Sequence, residues 1–289
     1  MKLPRSQVIR TAKGLAKPAM APYLFKIVFL LALETVTGFA LSTVISGLTQ
    51  RFGLTCMVQI WVYRFDLSSA LLTVLTSFLL VPLTLGIAEF LLKAFRRQEP
   101  RVMDVFLWYS DGERLKRVLE YYVYTVVTGL ISLALYSIPA SWLLDTADAV
   151  MADLSEQLTA FASPMVNWSL VDGRVVAVSL GCMLVYAFFT IHLLLTPYYF
   201  LDHPEAGPFA AALRSWRAMR GHVWEWVLCI VSFAGWYLMC ALFMFLPLLY
   251  LMPYMRMTQV VYAEYVRSAD DRNRTSPEDT PPDAPEEHD

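Results

Sequence analysis

Long apolar stretches separated by short charged segments dominate the chain. Crossing the roughly 30 Å hydrocarbon core of a bilayer takes about 20 helical residues. Six stretches reach that length, namely residues 23–48, 68–93, 119–144, 175–201, 223–244 and 246–266. The last two abut, so the sixth requires a tight turn near Pro247. The pattern predicts an all-α, multi-pass transmembrane helical bundle with six spans, and five spans are the alternative.

Both ends of the chain differ from this apolar centre. Residues 1–22 carry five basic residues with apolar residues between them, which predicts an amphipathic cytoplasmic helix on an anionic leaflet. Residues 23–266 form the transmembrane domain. Residues 267–289 are acidic and proline-rich, with almost no apolar residues, so we expect a disordered cytoplasmic tail.

The distribution of lysine and arginine predicts the orientation. Basic residues cluster before the first stretch, after the second and after the fourth. The intervening segments are poor in them, with only Arg51, Arg64 and Arg174. Because cytoplasmic loops carry the excess of lysine and arginine, both termini are expected in the cytoplasm of a bacterial cell. This arrangement requires an even number of spans.

Composition agrees with a membrane protein. The 289 residues are 57% hydrophobic and 17% charged, and the mean hydropathy is +0.49. Soluble domains carry nearer a quarter of charged residues. The net charge of -2 averages over basic and acidic segments and does not identify a partner.

The sequence contains no recognisable catalytic or cofactor motif. The four histidines are scattered, and no P-loop, nucleophile elbow or zinc motif occurs. Asp202, His203 and Glu205 are close in sequence, but two prolines and a glycine in this segment favour a solvated turn over a metal site. We therefore predict no catalytic residue, no cofactor, no metal and no nucleic-acid partner.

Charged residues inside the apolar stretches are candidates for a buried pair. Glu34 and Arg256 each lie about ten residues from the cytoplasmic end of a span, roughly 15 Å deep. Opposite charges at equal depth predict that the first and sixth helices are neighbours joined by this pair, with His192 as a third polar member. Glu89 is assigned instead to a local helical pair with Lys93.

A basic, tryptophan-containing segment precedes the fifth span. Arg214, Arg217 and Arg220 recur every third residue on one side of a helix, beside Trp216. Arginine and tryptophan at this place are typical of a helix at a membrane surface. We expect these four residues to contact phospholipid head groups.

Small residues suggest close helix packing within two of the spans. Thr35, Gly38 and Ser42 form a stripe on the first span, and Thr125 and Gly129 repeat the spacing on the third. Such stripes let helices approach each other in lipid, and a ligand groove is the alternative. In the predicted outer loop, residues 147–161 keep helical spacing on one side, which predicts a helix over the outer mouth.

The C-terminal half resembles a known family. The segments that carry the resemblance are Y-F-L-D-H-P, A-L-R-S-W-R-A-M-R-G-H-V-W, S-F-A-G-W, P-Y and V-Y-A-E-Y, and the N-terminal I-R-T-A-K-G-L-A-K and the basic loop around Asp111 and Gly112 also look similar. The positions that match are Ser215, Met219, Gly221, His222, Trp224, Ser232, Phe233, Gly235, Trp236, Pro253, Tyr254 and Tyr262. They are similar to the bacterial membrane family called domain of unknown function 975, and the resemblance covers most of residues 8–266. It implies a six-helix integral membrane protein and brings no established activity. Residues 243–247 depart from the glycine-containing turn usual there.

Two functions follow from these observations. The first is a non-enzymatic membrane scaffold or accessory protein that presents basic loops to membrane phospholipid and to a membrane protein partner. The second is a transporter or permease for a small solute or lipid, which would use polar groups buried at mid-membrane. The sequence predicts no particular oligomeric state.

Overall fold

The computed structural model describes residues 5–52, 57–60, 63–144, 173–243 and 247–274. Nearly all of these residues are helical, which confirms the all-α prediction at that level. A short antiparallel ribbon, β1 (Met57–Ile60) paired with β2 (Tyr63–Asp66), is the exception. The predicted outer-loop helix over residues 147–161, most of the acidic tail and the turn at residues 244–246 lie outside the described residues.

The described part of the first half, up to residue 144, contains five helices. They are α1 (Arg5–Met20), α2 (Leu24–Phe52), α3 (Leu67–Phe95), the short α4 (Leu107–Ser110) and α5 (Gly112–Leu144). A 3₁₀ turn, Ala21–Tyr23, joins α1 to α2, and a second, Val102–Phe106, precedes α4. Helices α2, α3 and α5 are each long enough to cross a bilayer.

The described part of the second half, residues 173–243 and 247–274, contains six helices. They are α6 (Gly173–His192), α7 (Thr196–Asp202), α8 (Pro208–Met219), α9 (Val223–Val231), α10 (Ala234–Leu242) and α11 (Leu248–Arg274). Two of the predicted spans are therefore interrupted. The break before α7 has a local cause, because Pro197 has no backbone N–H and its ring clashes with the carbonyl four residues earlier.

Among the residues that the structure describes, four helical stretches are long and apolar enough to cross a membrane, judged by length and composition alone. They are Gln7–Ile45, Thr76–Phe95, Leu180–Asp202 and Val223–Cys240. These overlap four of the six predicted spans. The other two predicted spans are helical, within α5 and α11, but are not among the four.

Helices α3 and α11 form the centre of the bundle. Helix α3 packs against α2, α5 and α7, and α11 packs against α1, α2 and α3. Fully buried side chains at these contacts include Phe90 of α3, Phe200 of α7 and Tyr262 of α11. The predicted neighbourhood of the first and last spans is present, because α2 and α11 are in contact.

Helix α1 has the predicted apolar face, but that face packs on protein rather than on lipid. Val8, Ala12, Ala16 and Met20 recur every fourth residue and are buried against the rest of the bundle. Helix α1 lies on α11 and α9. Lys13 on α1 adds a cation–π contact to the same packing, because its Nζ lies 3.9 Å from the ring centre of Phe233. The spacing of apolar residues indicated a helix with one apolar face. The tertiary structure determines which surface that face packs against.

Candidate functional site

One end of the bundle carries a closed network of four charged side chains, which we call the ionic square: Arg96, Asp202, Glu264 and Arg267. Arg96 donates two parallel hydrogen bonds to Asp202, of 2.8 and 2.9 Å. It also donates from Nε and Nη2 to Glu264, at 2.9 and 2.6 Å. Arg267 contacts both acids in turn. Each guanidinium therefore bridges the same two carboxylates.

Three helices bring these four residues together. Arg96 follows the last turn of α3, Asp202 ends α7, and Glu264 and Arg267 lie three residues apart on one face of α11. After Arg96 the chain reverses through two residues with left-handed backbone, Arg97 and Glu99. Such φ values are uncommon for residues with a Cβ, so tertiary packing holds this reversal in place.

The ionic square is electrically neutral and partly shielded from solvent. Its side chains keep only 18–29% of their exposure. Burial lowers the pKa of Arg267 from its usual value, and nearby Arg96 lowers it further. Arginine nevertheless stays protonated at any physiological pH. The two positive and two negative charges therefore form a permanent cross-link between α3, α7 and α11.

A second charged cluster lies about two helical turns earlier on α3, around Glu89. Glu89 accepts hydrogen bonds from Trp108 Nε1 and pairs with Lys93, both at 2.7 Å. Arg114 at the start of α5 lies 3.6 Å from the same carboxylate and packs over the ring of Trp108. We call these four residues the Glu89 cluster. The local Glu89–Lys93 pair predicted from the sequence is confirmed.

Two cavities flank the pair formed by Arg96 and Asp202. The larger, of about 300 Å³, has Arg214, His203 and Arg267 in its wall. The smaller, of about 180 Å³, is lined by the Glu89 cluster and Arg117. Guanidinium groups present several N–H donors in a fixed plane, which suits them to carboxylate and phosphate oxygens. The wall of the larger cavity also contains Asp202, Asp270 and Asp271, which balance its three arginines, so only the smaller cavity has an excess of cations.

The predicted pair of Glu34 and Arg256 is not formed, although their helices are neighbours. Glu34 Oε1 lies 3.1 Å from the hydroxyl of Thr84 on α3, which can donate to it. Arg256 is exposed and makes no ion pair within the described part of the chain. Equal depth was therefore insufficient, because the two residues occupy different sides of their helices. A neutral hydroxyl is the partner of Glu34.

His192, predicted as the third polar member, lies in an aromatic cluster instead. Its ring centre is 4.4 Å from Trp216 and 4.3 Å from Phe188, and Nδ1 lies 2.8 Å from the carbonyl oxygen of Phe188. The side chain is buried. Its role in the structure is to pack α6 against α8.

Ser215 was named in the sequence analysis only as a position that matches the family, and no structural role was predicted for it. Its hydroxyl donates to the carbonyl of His192 at 2.6 Å and accepts from the amide of Leu195 at 3.2 Å. These backbone groups border the break between α6 and α7, where helical partners are missing. Ser215 is completely buried, so no water can replace it. Helix α8 thereby closes the break.

The basic face of α8 is only partly as predicted. Arg217 and Arg220 are exposed, and Phe209 and Leu213 are exposed beside them. Arg214 instead lies in the wall of the larger cavity, and Trp216 packs on His192. The predicted contact of Arg214, Arg217, Arg220 and Trp216 with lipid head groups stays a prediction. The exposure of Arg217 and Arg220 favours it for these two residues.

Asp202, His203 and Glu205 do not assemble a metal site. Among the residues that the structure describes, no group of three or more His, Cys, Asp or Glu side chains could hold a metal ion. Asp202 is held by two arginines, while His203 and Glu205 lie 3.5 Å apart on the surface. The sequence placed Asp202 in a solvated turn. The structure corrects this, because Asp202 belongs to the ionic square.

A groove of about 720 Å³ runs between α5 and α6. Thr125, Thr128 and Ser132 from α5 and Thr190 from α6 line it together with apolar and aromatic side chains. Gly129 borders it, and a Cβ added there would meet no atom within 4 Å. The small-residue stripe on α5 therefore lines a groove, which was the alternative interpretation. By contrast, a Cβ at Gly38 would lie 3.7 Å from Leu80, an ordinary packing contact.

The ionic square was not recognised from the sequence. Glu264 and Arg267 are three residues apart, a spacing that predicts an ion pair on one face of a helix. No other local pattern indicated the ionic square. Arg96 was assigned to the orientation of the chain, and Asp202 to a turn. Their association depends on contacts between residues 106 and 168 positions apart, which no local pattern encodes.

Comparison with known proteins identifies the family of this chain. No curated protein and no solved structure matches the chain. A family described as Protein of unknown function (DUF975) matches residues 11–270, which include the ionic square, the Glu89 cluster and all of α2 to α10. Because this match covers most of the 289 residues, the chain belongs to the DUF975 family of proteins of unknown function.

Proposed function

We propose that this protein is a six-span integral membrane protein of the cytoplasmic membrane that acts as a non-enzymatic scaffold or accessory protein. Its charged end faces the cytoplasm, together with both termini. There it contacts anionic phospholipid and offers a surface to a membrane protein partner. The observation that carries the proposal is the division of the bundle into a broad exposed apolar surface and one charged end.

The apolar surface is too large for a water-soluble bundle. Phe25 is 88% exposed and Phe39 is 74% exposed on α2, and Leu184 on α6 is 70% exposed. Further exposed apolar side chains continue along α5, α9 and α10. Contiguous apolar patches of this kind are rare on soluble monomers and are the normal surface towards lipid. This supports a bilayer around the helices.

Contacts between α10 and α11 support an even number of spans. The rings of Trp236 and Tyr250 lie 6.2 Å apart, and the hydroxyl of Tyr237 lies 3.0 Å from the sulfur of Met255. The two helices are therefore side by side on either side of a short connection. Side-by-side packing favours a helical hairpin, which would return the C-terminus to the side of the N-terminus.

Helix α8 supports contact with anionic lipid. Phe209 and Leu213 can enter the head-group region, while Arg217 and Arg220 on the same face meet phosphates. Each such arginine contributes on the order of 1 kcal/mol of attraction to an anionic leaflet. The ionic square holds α3, α7 and α11 together. A rigid bundle of this kind suits a scaffold.

Lipid enrichment tests this proposal. The full chain is purified from vesicles that contain equal amounts of neutral and anionic phospholipid, and the retained lipid is quantified. We expect enrichment of anionic lipid that falls when Arg214, Arg217 and Arg220 are all changed to Gln. The control changes Arg51, Arg64 and Arg174 to Gln, which removes the same charge from the opposite side. Equal effects of the two triple variants would contradict the proposal.

The groove between α5 and α6 favours transport as a second candidate function. A transporter or permease for a small solute or lipid would use its hydroxyl-lined wall as a binding path. Gly129→Leu would fill the groove without a clash at the Cβ position. If proteoliposomes transfer a lipid or solute and this variant abolishes the transfer, the transport function replaces the scaffold.

A further inference from the structure

The smaller cavity at the charged end has an excess of positive charge. Its wall contains four cations, Lys93, Arg96, Arg114 and Arg117, and two acids, Glu89 and Asp202. Arg96 and Asp202 belong to the neutral ionic square and cancel there. The remainder is three positive charges around the single carboxylate of Glu89. The wall itself therefore carries two more positive than negative charges, and Asp111, which lies outside the wall and 3.5 Å from Arg114, offsets one of them.

Arg117 and Arg114 carry this excess. Arg117 is half-buried in the cavity wall and makes no ion pair with any residue in the described ranges. Arg114 lies 3.6 Å from Glu89 and 3.5 Å from Asp111, both longer than a charge-assisted hydrogen bond. Its Nη1 is buried and has no hydrogen-bond acceptor in the described structure. Donors in this state are costly, and an additional anion would satisfy them.

An exposed apolar edge adjoins the cavity. The segment just before Trp108 turns outward Met103, which is 71% exposed, together with Phe106 and Leu107. Tyr109 on the other side of Trp108 is also exposed. Trp108 itself points inward and donates to Glu89. A basic cavity beside exposed apolar side chains suits a molecule that has both a phosphate and acyl chains.

From this geometry we infer that the smaller cavity binds the head group of a phospholipid that ends in a dianionic phosphomonoester. The phosphate occupies the cavity between Arg114 and Arg117, and the acyl chains pass over Met103 and Phe106. A phosphomonoester offers a second negative charge and a third terminal oxygen to Arg117 and to the unsatisfied Nη1 of Arg114, which a phosphodiester with a single charge does not. The inference deepens the proposed function, because it identifies a lipid class and its binding site.

Binding to the full chain in detergent tests this inference. The probes are short-chain phosphatidate, short-chain phosphatidylglycerol and inorganic phosphate, each measured by native mass spectrometry or calorimetry. We expect phosphatidate to bind at least about tenfold more tightly than phosphatidylglycerol, with Arg117→Gln removing roughly that factor. Arg117→Lys keeps the charge and should recover part of the affinity.

A neighbouring residue provides the matched control. Lys116→Gln removes one positive charge at the next position of α5, from a residue that is exposed and outside the cavity wall. It should bind phosphatidate as the parent does. If Lys116→Gln and Arg117→Gln weaken binding equally, only general charge is involved and the inference is overturned. Equal affinity for inorganic phosphate would also overturn it, because the site would then hold a soluble anion.

The outcome is separable from that of the proposed function. Changing Arg214, Arg217 and Arg220 leaves the wall of the smaller cavity intact, so phosphatidate binding in detergent should survive in that triple variant. If only the vesicle experiment fails, the proposed function is wrong and the cavity stands. If only phosphatidate selectivity fails, the cavity is not a head-group site.

Discussion

Arg96 and Asp202 face each other through two parallel hydrogen bonds, with Nη1 2.8 Å from Oδ1 and Nη2 2.9 Å from Oδ2. This geometry uses the planar guanidinium fully and joins the end of α3 to the end of α7. Glu264 and Arg267 complete the square from α11. Three segments distant in sequence are thus tied at the level where the apolar surface ends.

Arg96→Gln should destabilise the protein, because it leaves two acids facing one arginine. Complete burial of such a pair would cost roughly 3 to 5 kcal/mol on removal of one partner. These side chains keep part of their exposure, so we expect about 1 to 3 kcal/mol after allowance for screening. Thermal unfolding in detergent measures this loss.

The adjacent residue gives the control for this experiment. Arg97→Gln removes the same charge from an exposed residue that keeps its left-handed backbone, and it should leave the melting temperature nearly unchanged. The double variant with Asp202→Asn should lose less than the sum of the single losses. Additive losses would mean that Arg96 and Asp202 are not coupled.

Ser215→Ala should destabilise the break between α6 and α7. The change leaves the carbonyl of His192 and the amide of Leu195 without their shared partner in a fully buried place. An unsatisfied buried polar group costs about 1 to 3 kcal/mol. Ser268→Ala is the control, since the hydroxyl there bonds within its own exposed helical turn. Similar stability of the two variants would argue against a structural role for Ser215.

Gly86 and Gly129 should respond in opposite ways to alanine. A Cβ at Gly86 would lie 2.6 Å from the carbonyl oxygen of Val105, where α3 meets the 3₁₀ turn before α4. Overpacking of this kind costs about 1 to 3 kcal/mol. Gly129→Ala meets open space and should be neutral or stabilising, because alanine favours helix. Equal melting temperatures would show that the contact with Val105 relaxes freely.

Glu34 should be coupled to Thr84 and not to Arg256. The acid and the hydroxyl are 3.1 Å apart, whereas Arg256 is exposed and forms no ion pair among the described residues. A double-mutant cycle of Glu34→Gln with Thr84→Val should therefore be non-additive by roughly 0.5 kcal/mol or more. The cycle with Arg256→Gln should be additive. Strong coupling between Glu34 and Arg256 would instead support the ion pair that was predicted from their equal depth in the membrane.

The C-terminus should be cytoplasmic if the chain crosses the membrane six times. Three arginines follow residue 266, and α10 and α11 lie side by side. A reporter that is active only outside the cytoplasm, fused after Asp270, should therefore stay silent. The same reporter placed after Gly173 should be active. High activity after Asp270 would favour five spans.

Local patterns predicted the features that depend on local physics. The apolar residues within positions 1–22 predicted an amphipathic helix, and in α1 Ala12 and Ala16 are buried whereas Leu15 is exposed. The pair formed by Glu89 and Lys93 was also correct, because residues four apart on a helix meet wherever the helix is placed. The family resemblance was confirmed as well, since it depends on side chains in a fixed order.

Depth and charge did not predict the partners of buried polar residues. Glu34 and Arg256 share a level, but helix rotation sets which side of each helix faces the other. Glu34 is therefore beside Thr84, and His192 is beside Trp216. The break before α7 contains a proline, a local signal. The backbone carbonyl of His192 at this break is hydrogen-bonded by the hydroxyl of Ser215 from another helix, which no local signal indicates.

The sequence alone determined that the chain is helical, apolar over long stretches and basic in separate segments, because composition and period act within one helix at a time. The tertiary structure decided which charges meet. Arg96, Asp202 and Glu264 come from three separate helices, and the positive excess around Arg117 appears only after their charges have cancelled. Electrostatic pairing depends on distances of a few ångströms between remote residues, and the packing of the helices sets those distances.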